Sequence, residues 1–453
     1  MNRQETRAAF SLASVFSIRL LGLFMIYPVF ATYARHLTGA TPAKIGLALG
    51  AYGLSQGLLQ IPFGVLSDRL GRKVMVVIGL ALFALGSAIA ALSTSIDGVL
   101  IGRVLQGTGA VGSVILALVA DLTQEENRTK AMAIVGITIG ISFMIALIIG
   151  PIVSGWVGVS GIFWLMVILA FVGMAVTKWI VPTPERIAVH RDAETVPSML
   201  GSVLRNSELL RLDFGIFALH AILTASFLVI PHFLRSAFSL TAAEQWMIYL
   251  PVLVVSVVFM VPAIIVAEKH RRMKEVFVGA VFLLVLSQVL LWVEGKSIAA
   301  SLVAIVAFFT AFNILEASLP SLVTKTAPPD AKGTASGVYS SSQFLGIFVG
   351  GAAGGWVHQS FGAPGVFVFA AAIALAWLIV AVTMTKPGHY VTRVARIGEV
   401  DAAGRKALAA RLRNLPGVMD VVLVPEERMA YLKVDSKLFD NEALAGLSQG
   451  NSA

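Results

Sequence analysis

Cysteine is absent from the chain, which excludes disulfides and thiolate metal centres. Charge is nearly as scarce, with Asp, Glu, Lys and Arg making up 13% of the 453 residues against 57% hydrophobic ones. A soluble domain carries roughly twice that share of charge, so a soluble globule is excluded and a polytopic membrane protein is expected. Glycine-rich phosphate loops, metal-spaced ligand clusters and nucleophile motifs are also missing. No enzymatic activity, cofactor or metal is therefore expected. The net charge of +9 is spread over short loops instead of gathered in a basic domain. It argues for orientation across a lipid bilayer and against nucleic acid as a partner.

What the chain does have is long apolar runs. Twelve of them are near the length that crosses a bilayer: 10–33, 42–66, 74–94, 99–120, 131–154, 161–181, 212–234, 246–267, 275–293, 298–323, 335–358 and 364–384. The first follows Arg3 and Arg7 but is too long for a leader peptide and reads as a retained span. Eighteen lysines and arginines fall in the loops on one side, against Arg35, Lys44, Arg235 and Lys296 on the other. That asymmetry places both termini in the cytoplasm. Residues 182–211 are polar, and the apolar stripe from Met199 to Leu210 predicts a helix lying on the membrane surface. The expected organisation is two six-helix halves, 1–181 and 212–386, joined by the linker 182–211 and followed by a small domain, 387–453.

The halves repeat at an offset of 200 residues. Ile61-Pro62 meets Val261-Pro262, Asp68 meets Glu268, Arg72 meets Arg272, and Gly155-Trp156-Val157 meets Gly355-Trp356-Val357. Two parallel repeats of six spans are one of the known transporter architectures. Between the second and third spans runs Gly64-Val-Leu-Ser-Asp68-Arg69-Leu-Gly71-Arg72-Lys73, a short turn holding both signs of charge. Gly64 and Gly71 let helix ends approach and the backbone turn at positive φ. In the second half Ile264 and Arg271 replace those glycines.

Several polar groups fall inside apolar spans, where ionisable side chains face the bundle interior and mark pathways or pair with each other. They are Arg19 in the first span, Arg103 in the fourth, His220 in the seventh and Glu316 in the tenth. Glu316, a carboxyl in apolar surroundings, and His220 are the candidates for carrying protons. Gln60, Gln106 and Asn313 are candidates for lining a substrate cavity. In the fifth span Gly136 and Gly140 precede Gly150-Pro151 and Gly155, a small-residue stripe for helix contact with a proline that breaks one backbone bond.

The loop from Gly64 to Lys73 resembles the signature of the major facilitator superfamily of transporters. That resemblance implies an all-α fold of twelve spans in two halves, alternating access and a small-molecule substrate. It implies a latch in which Asp121 at the end of the fourth span joins Asp68, Arg69, Arg72 and Lys73, tying helices two, four and eleven when the cavity faces outward. Arg103-x-x-Gln106-Gly-x-Gly resembles the family's fourth-span motif, where the arginine is linked to proton coupling. Gly150-Pro151 followed by Gly155 resembles the fifth-span motif of its antiporters.

Beyond Lys386-Pro387-Gly388 the composition turns polar. Tyr390–Ile397 alternates like a strand, 401–415 reads as a helix, 418–424 and 429–434 form a hairpin, and 441–447 a last helix. The order βαββα is that of a ferredoxin-like α+β domain. Leu415-Pro-Gly-Val418-x-x-Val421 resembles heavy-metal-associated domains, but without cysteine it cannot bind metal in their way. The domain is expected to self-associate or to tune the transporter. The expected whole is a proton-coupled exporter of small amphipathic compounds in a bacterial inner membrane, with protons as coupling ion. Alternatives are a facilitator or proton symporter for sugars and metabolites, or a sensor signalling through its tail.

Overall fold

In the computed structural model, residues 1–184, 194–293, 297–328, 330–386, 390–397, 402–424, 429–435 and 438–439 are described. Among them, nine helices are long and apolar enough to cross a membrane. Two of these run 51 residues and fold back at a single glycine: Gly158 (φ 69°) within Glu125–Ala175, and Gly362 (φ 69°) within Lys332–Val382. A φ of this kind is open to glycine at no steric cost. Each long helix is therefore two antiparallel spans. Pro42–Leu70, rich in Gly and Gln, completes the twelve.

These spans are α1 (Arg3–Met25, resumed as Tyr27–Tyr33), α2 (Pro42–Leu70), α3 (Arg72–Leu92) and α4 (Ile96–Thr108, resumed as Gly112–Asp121). The arms of Glu125–Ala175 are α5 and α6. The second half comprises α7 (Ser207–Ser226, resumed as Ile230–Phe238), α8 (Trp246–Lys269), α9 (Met273–Val293) and α10 (Ile298–Thr326), with the arms of Lys332–Val382 as α11 and α12. Starts are set by side chains that take up free amides. Asn2 and Glu5 form a capping box, Thr41 accepts from Lys44, and Ser95 accepts from Gly98. The break in α4 leaves helical geometry at mid-span (Gly109, φ −76°, ψ 59°), a feature of helices around a transport path, whereas Ile26 and Phe227 at the breaks in α1 and α7 keep helical dihedrals.

Glycine on both surfaces brings α2 and α11 together across the two halves. Gly46 lies against the Gly351 carbonyl and Gly355, and a Cβ added to Gly50 would sit 2.8 Å from the Phe348 carbonyl oxygen. Within the second half Gly346 rests on Phe217 and Gly350 on Ala221, so α7 and α11 run side by side. At the end away from the signature loop the halves meet again. Tyr27 packs edge-on against Phe227 (5.5 Å) and bonds Thr224 (3.2 Å), the Ala43 amide donates to Gln359 (3.3 Å), and Gly155 abuts Ala243.

The linker differs from expectation. Instead of one surface helix over 199–210, a 3-10 turn (Pro197–Met199) and a helical turn (Leu200–Val203) end before Asn206, whose side chain accepts from the Glu208 and Leu209 amides and starts α7 at Ser207. A cap at that position outcompetes continuation of the amphipathic stripe.

The tail folds as β1 (Tyr390–Arg396), α13 (Ala402–Arg413), β2 (Val418–Val424) and β3 (Met429–Asp435). The sheet order is β1-β3-β2, antiparallel throughout. Leu412, Val421, Ala430, Leu432 and Val434 make its core. The strands and first helix are where the sequence placed them; the Pro387-Gly388 hinge and the helix at 441–447 lie outside the described residues. Lys433 Nζ reaches the Thr326 carbonyl at the end of α10 (3.5 Å). Burial there pushes its ammonium below the usual range, while Asp420 acts against that.

Candidate functional site: a charged latch and an acid–imidazole pair

At the α2–α3 turn, Gly71 (φ 97°) ends one helix and opens the next. Its repeat counterpart Arg271 holds φ 57° without being glycine, so the turn geometry is retained where the residue is not. Gly64 leaves room for Ser113 of α4, 3.1 Å from an added Cβ. Arg72 then projects into a nearly dry pocket, its side chain 1% exposed. Its Nε donates to Asp121 Oδ2 (3.1 Å), Nη1 to Ser67 Oγ (2.7 Å) and Asp68, and Nη2 faces Glu194 Oε1 (2.8 Å). One planar fork thus holds α2, α3, α4 and the linker, which a point-charge lysine could not do. Lys73 closes the end of the first half, donating to the Val181 carbonyl (2.8 Å). Among the described residues no shared contact places Arg69 in this cluster.

Helix eleven enters the latch indirectly. The linker residue next to Glu194 packs on it, Thr195 Oγ1 against Gly337, and the Val196 amide donates to Thr334 (3.0 Å). Gly333, Ser336 and Ser340 face the same crevice as Asp68 and Gln60. Glu194 carries a role that sequence reasoning missed, because it stands in a polar linker among several similar acids. In the second half the acid keeps its sign and takes a different partner: Glu268, opposite number of Asp68, pairs with Lys325 of α10 at 2.8 and 2.9 Å.

Inside the first half, Arg103 is fully buried. It donates to the Ala48 (3.4 Å) and Leu49 (3.3 Å) carbonyls and to Gln106 (2.9 Å), and lies over the Tyr52 ring. Arg19 donates to the Tyr52 hydroxyl (2.5 Å) and to Gln56, which donates on to Gln60 (2.7 Å). Among the described residues neither arginine has an acid partner. Gln106, which accepts from Arg103, is wholly buried and donates to Ser87 of α3 (2.7 Å), beside Met166 of α6.

The second half holds the acid. Glu316 of α10 comes within 3.9 Å of His220 Nε2, and its Oε2 has no hydrogen-bond partner. The same His220 nitrogen meets Gln343 of α11 (2.9 Å), while Nδ1 approaches the Ile216 carbonyl (3.3 Å). Asn313, one turn before Glu316, donates to Ser256 of α8 (2.8 Å). Between the halves runs a chain of rings: Phe24 and Phe143 (4.9 Å), Phe143 and Phe312 (5.2 Å), and Phe312 and His220 (5.9 Å). The fifth-span glycines split in two. Gly150 sits under the Met25 carbonyl and Gly155 on Ala243, but Gly136 and Gly140 touch nothing within 4 Å. They are not contact glycines, because that face of α5 has no neighbour there. Among the described residues no cluster of His, Cys, Asp or Glu has the make-up of a metal site.

Residues 12–351 and 212–413 match the Major Facilitator Superfamily. The chain belongs to that superfamily. This facilitator-superfamily chain is also 46% identical over 438 residues to the inner membrane transport protein YajR of Escherichia coli K12, covering 97% of this chain and 96% of that one. Residues 398–444 match the YajR YAM domain. An uncharacterized transporter of Buchnera aphidicola from Acyrthosiphon pisum is 34% identical over 77% of this chain and 90% of its own. Among solved structures, a bacterial homologue of the human lysosomal transporter Spinster, inward-facing and unoccupied, aligns with a TM-score of 0.65 at 13% identity over 85% of this chain and 98% of its own. The chain is thus a multi-pass membrane transporter of this superfamily, not an enzyme.

Proposed function

We propose that this transporter is a proton-coupled antiporter that exports small amphipathic compounds by alternating access, from a bacterial inner membrane, with both termini in the cytoplasm and no cofactor. The observation that carries the reading is the Glu316–His220 pair, whose carboxylate oxygen has no donor. An unpartnered acid beside an imidazole inside a membrane bundle is a group that takes up and releases protons. The ring chain that ends on His220 offers flat apolar surface beside that acid, which suits an amphipathic solute. The relatives agree in kind: the E. coli protein is named for the inner membrane, and a Bacillus subtilis protein 35% identical over 167 residues is named a multidrug resistance protein. Apposition of the halves at the end away from the signature loop, with the Arg72 latch formed at the other end, fits a state closed to the periplasm while latched, unlike the outward-facing cavity expected with the latch. The tail, with its own core and its contact to α10, is read as a tuning module that can self-associate along the free edge of β1.

Liposomes test this with ethidium as the probe. Exchange of one proton for one monovalent cation is electroneutral, so a pH step alone drives it. Vesicles acidified inside should accumulate ethidium while protons leave. Co-movement of protons and ethidium would mean symport, and pH-independent equilibration a facilitator.

A further inference from the structure

The second half contains a buried carboxyl that the reading above does not use. Asp213 sits in the second turn of α7, 6% exposed, and its Oδ2 has no hydrogen-bond partner. Among the described residues it forms no ion pair. Glu208 and Arg211, nearer the helix start, pair with each other. Withdrawing a carboxyl from water without a partner is unfavourable, and such groups inside membrane bundles mark ion paths.

Its surroundings point the same way. Tyr339 of α11 lies within electrostatic range of both Asp213 and Glu316. The contacts of Gly346 on Phe217 and Gly350 on Ala221 fix the register of α7 against α11 and set Asp213 level with the turn that begins at Tyr339. One turn beyond Tyr339 comes Gln343, the residue bonded to His220. His220 is two turns beyond Asp213 on the same face of α7, about 10 Å deeper, and it meets Glu316. Among the described residues, the titratable groups along this face are therefore Tyr339 from α11, which senses both acids, His220 on the same helix, and Glu316 from α10 beside His220. From α12 comes Trp377, packed on Gly215 and uncharged.

We propose that Asp213 is a second proton-carrying carboxyl, relaying protons between Glu316 and the signature-loop side of the membrane along the Tyr339–His220 face. The step is a proton transfer only. The Glu316 O–H breaks, leaving a carboxylate; an O–H forms on the Asp213 carboxylate, directly or through water, and Asp213 then gives that proton to bulk water. The proposal rests on the antiport reading, and its test separates the two.

Carboxyl infrared titration of the reconstituted chain needs no substrate. The difference between the chain and Glu316→Gln isolates the Glu316 titration, recorded with and without Asp213→Asn. Glu316 meets His220, which stands about 10 Å along α7 from Asp213, and charges at roughly that range and an effective dielectric near 20 alter each other's proton affinity on the order of tenfold. Asp213→Asn should shift the Glu316 midpoint by that factor. In ethidium-loaded liposomes it should also slow pH-driven net flux at least tenfold while ethidium–ethidium counterflow persists, and Asp213→Glu should restore the flux. Should Asp213→Asn fail to insert, Asp213→Glu in the same titration should show the coupling. An unmoved Glu316 midpoint, or wild-type net flux in Asp213→Asn, overturns the proposal. Should the unsubstituted chain move no ethidium against pH, the antiport reading fails while the titration still decides Asp213.

Discussion

At the residue scale, the latch shows how unequal three ion pairs to one guanidinium can be. The side chains of Asp121 and Glu194 are 0% and 6% exposed, while that of Asp68 is 33% exposed. Neutralising one partner of a desolvated pair leaves the other charge buried and costs about 3–5 kcal/mol, whereas a partly wet pair is worth about 1 kcal/mol or less. Thermal unfolding in detergent should therefore show Asp121→Asn least stable, Glu194→Gln next, and Asp68→Asn close to the unsubstituted protein. Transport should fall far more than ethidium binding in Asp68→Asn, the acid on the turn between helix ends. Asp68→Asn as the least stable of the three would contradict this ranking. Asp68, Arg72 and Asp121 were legible because charges at a turn between apolar runs stand out. Glu194 was not, because nothing in a polar linker singles out one acid. Asp213 was hidden at the edge of an apolar span, beside Arg211, where it reads as part of a wet helix end.

At the scale of elements, helix existence was legible and helix partnership was not. Apolar run length decides where a span lies, so the twelve spans emerge close to expectation. The linker helix failed because a local cap at Asn206 decided a boundary that periodicity could not see. Glycine patterns gave only half the answer: the stripe on α5 reads as one contact surface, yet only Gly150 and Gly155 touch anything. The seam that does join the halves, α2 on α11, depends on glycines at both faces. Gly50→Ala should therefore lower the melting temperature, because its methyl meets the Phe348 backbone. Gly136→Ala should leave it unchanged or raise it, since an alanine in an open helix gains about 1 kcal/mol over glycine. Equal losses at the two sites would show that the seam is not where the packing lies.

On the scale of the whole molecule, two repeated halves have divided their tasks. The first keeps the three-acid latch and two arginines held by carbonyls, side-chain amides and a tyrosine. The second carries the acids, Glu316 and Asp213, and pairs its own loop acid, Glu268, with Lys325 of α10 instead of with a loop arginine. Under the proposed antiport reading, chemistry in one half and the stricter latch in the other is an arrangement in which protonation on one side biases a rocking motion held on the other. The central claim is that Glu316 couples that motion to protons. The direct measurement compares Glu316→Gln with the unsubstituted chain in liposomes, following ethidium accumulation under an imposed pH step and ethidium counterflow without one. The account predicts that Glu316→Gln loses pH-driven accumulation and keeps counterflow. Accumulation at the unsubstituted rate would contradict it.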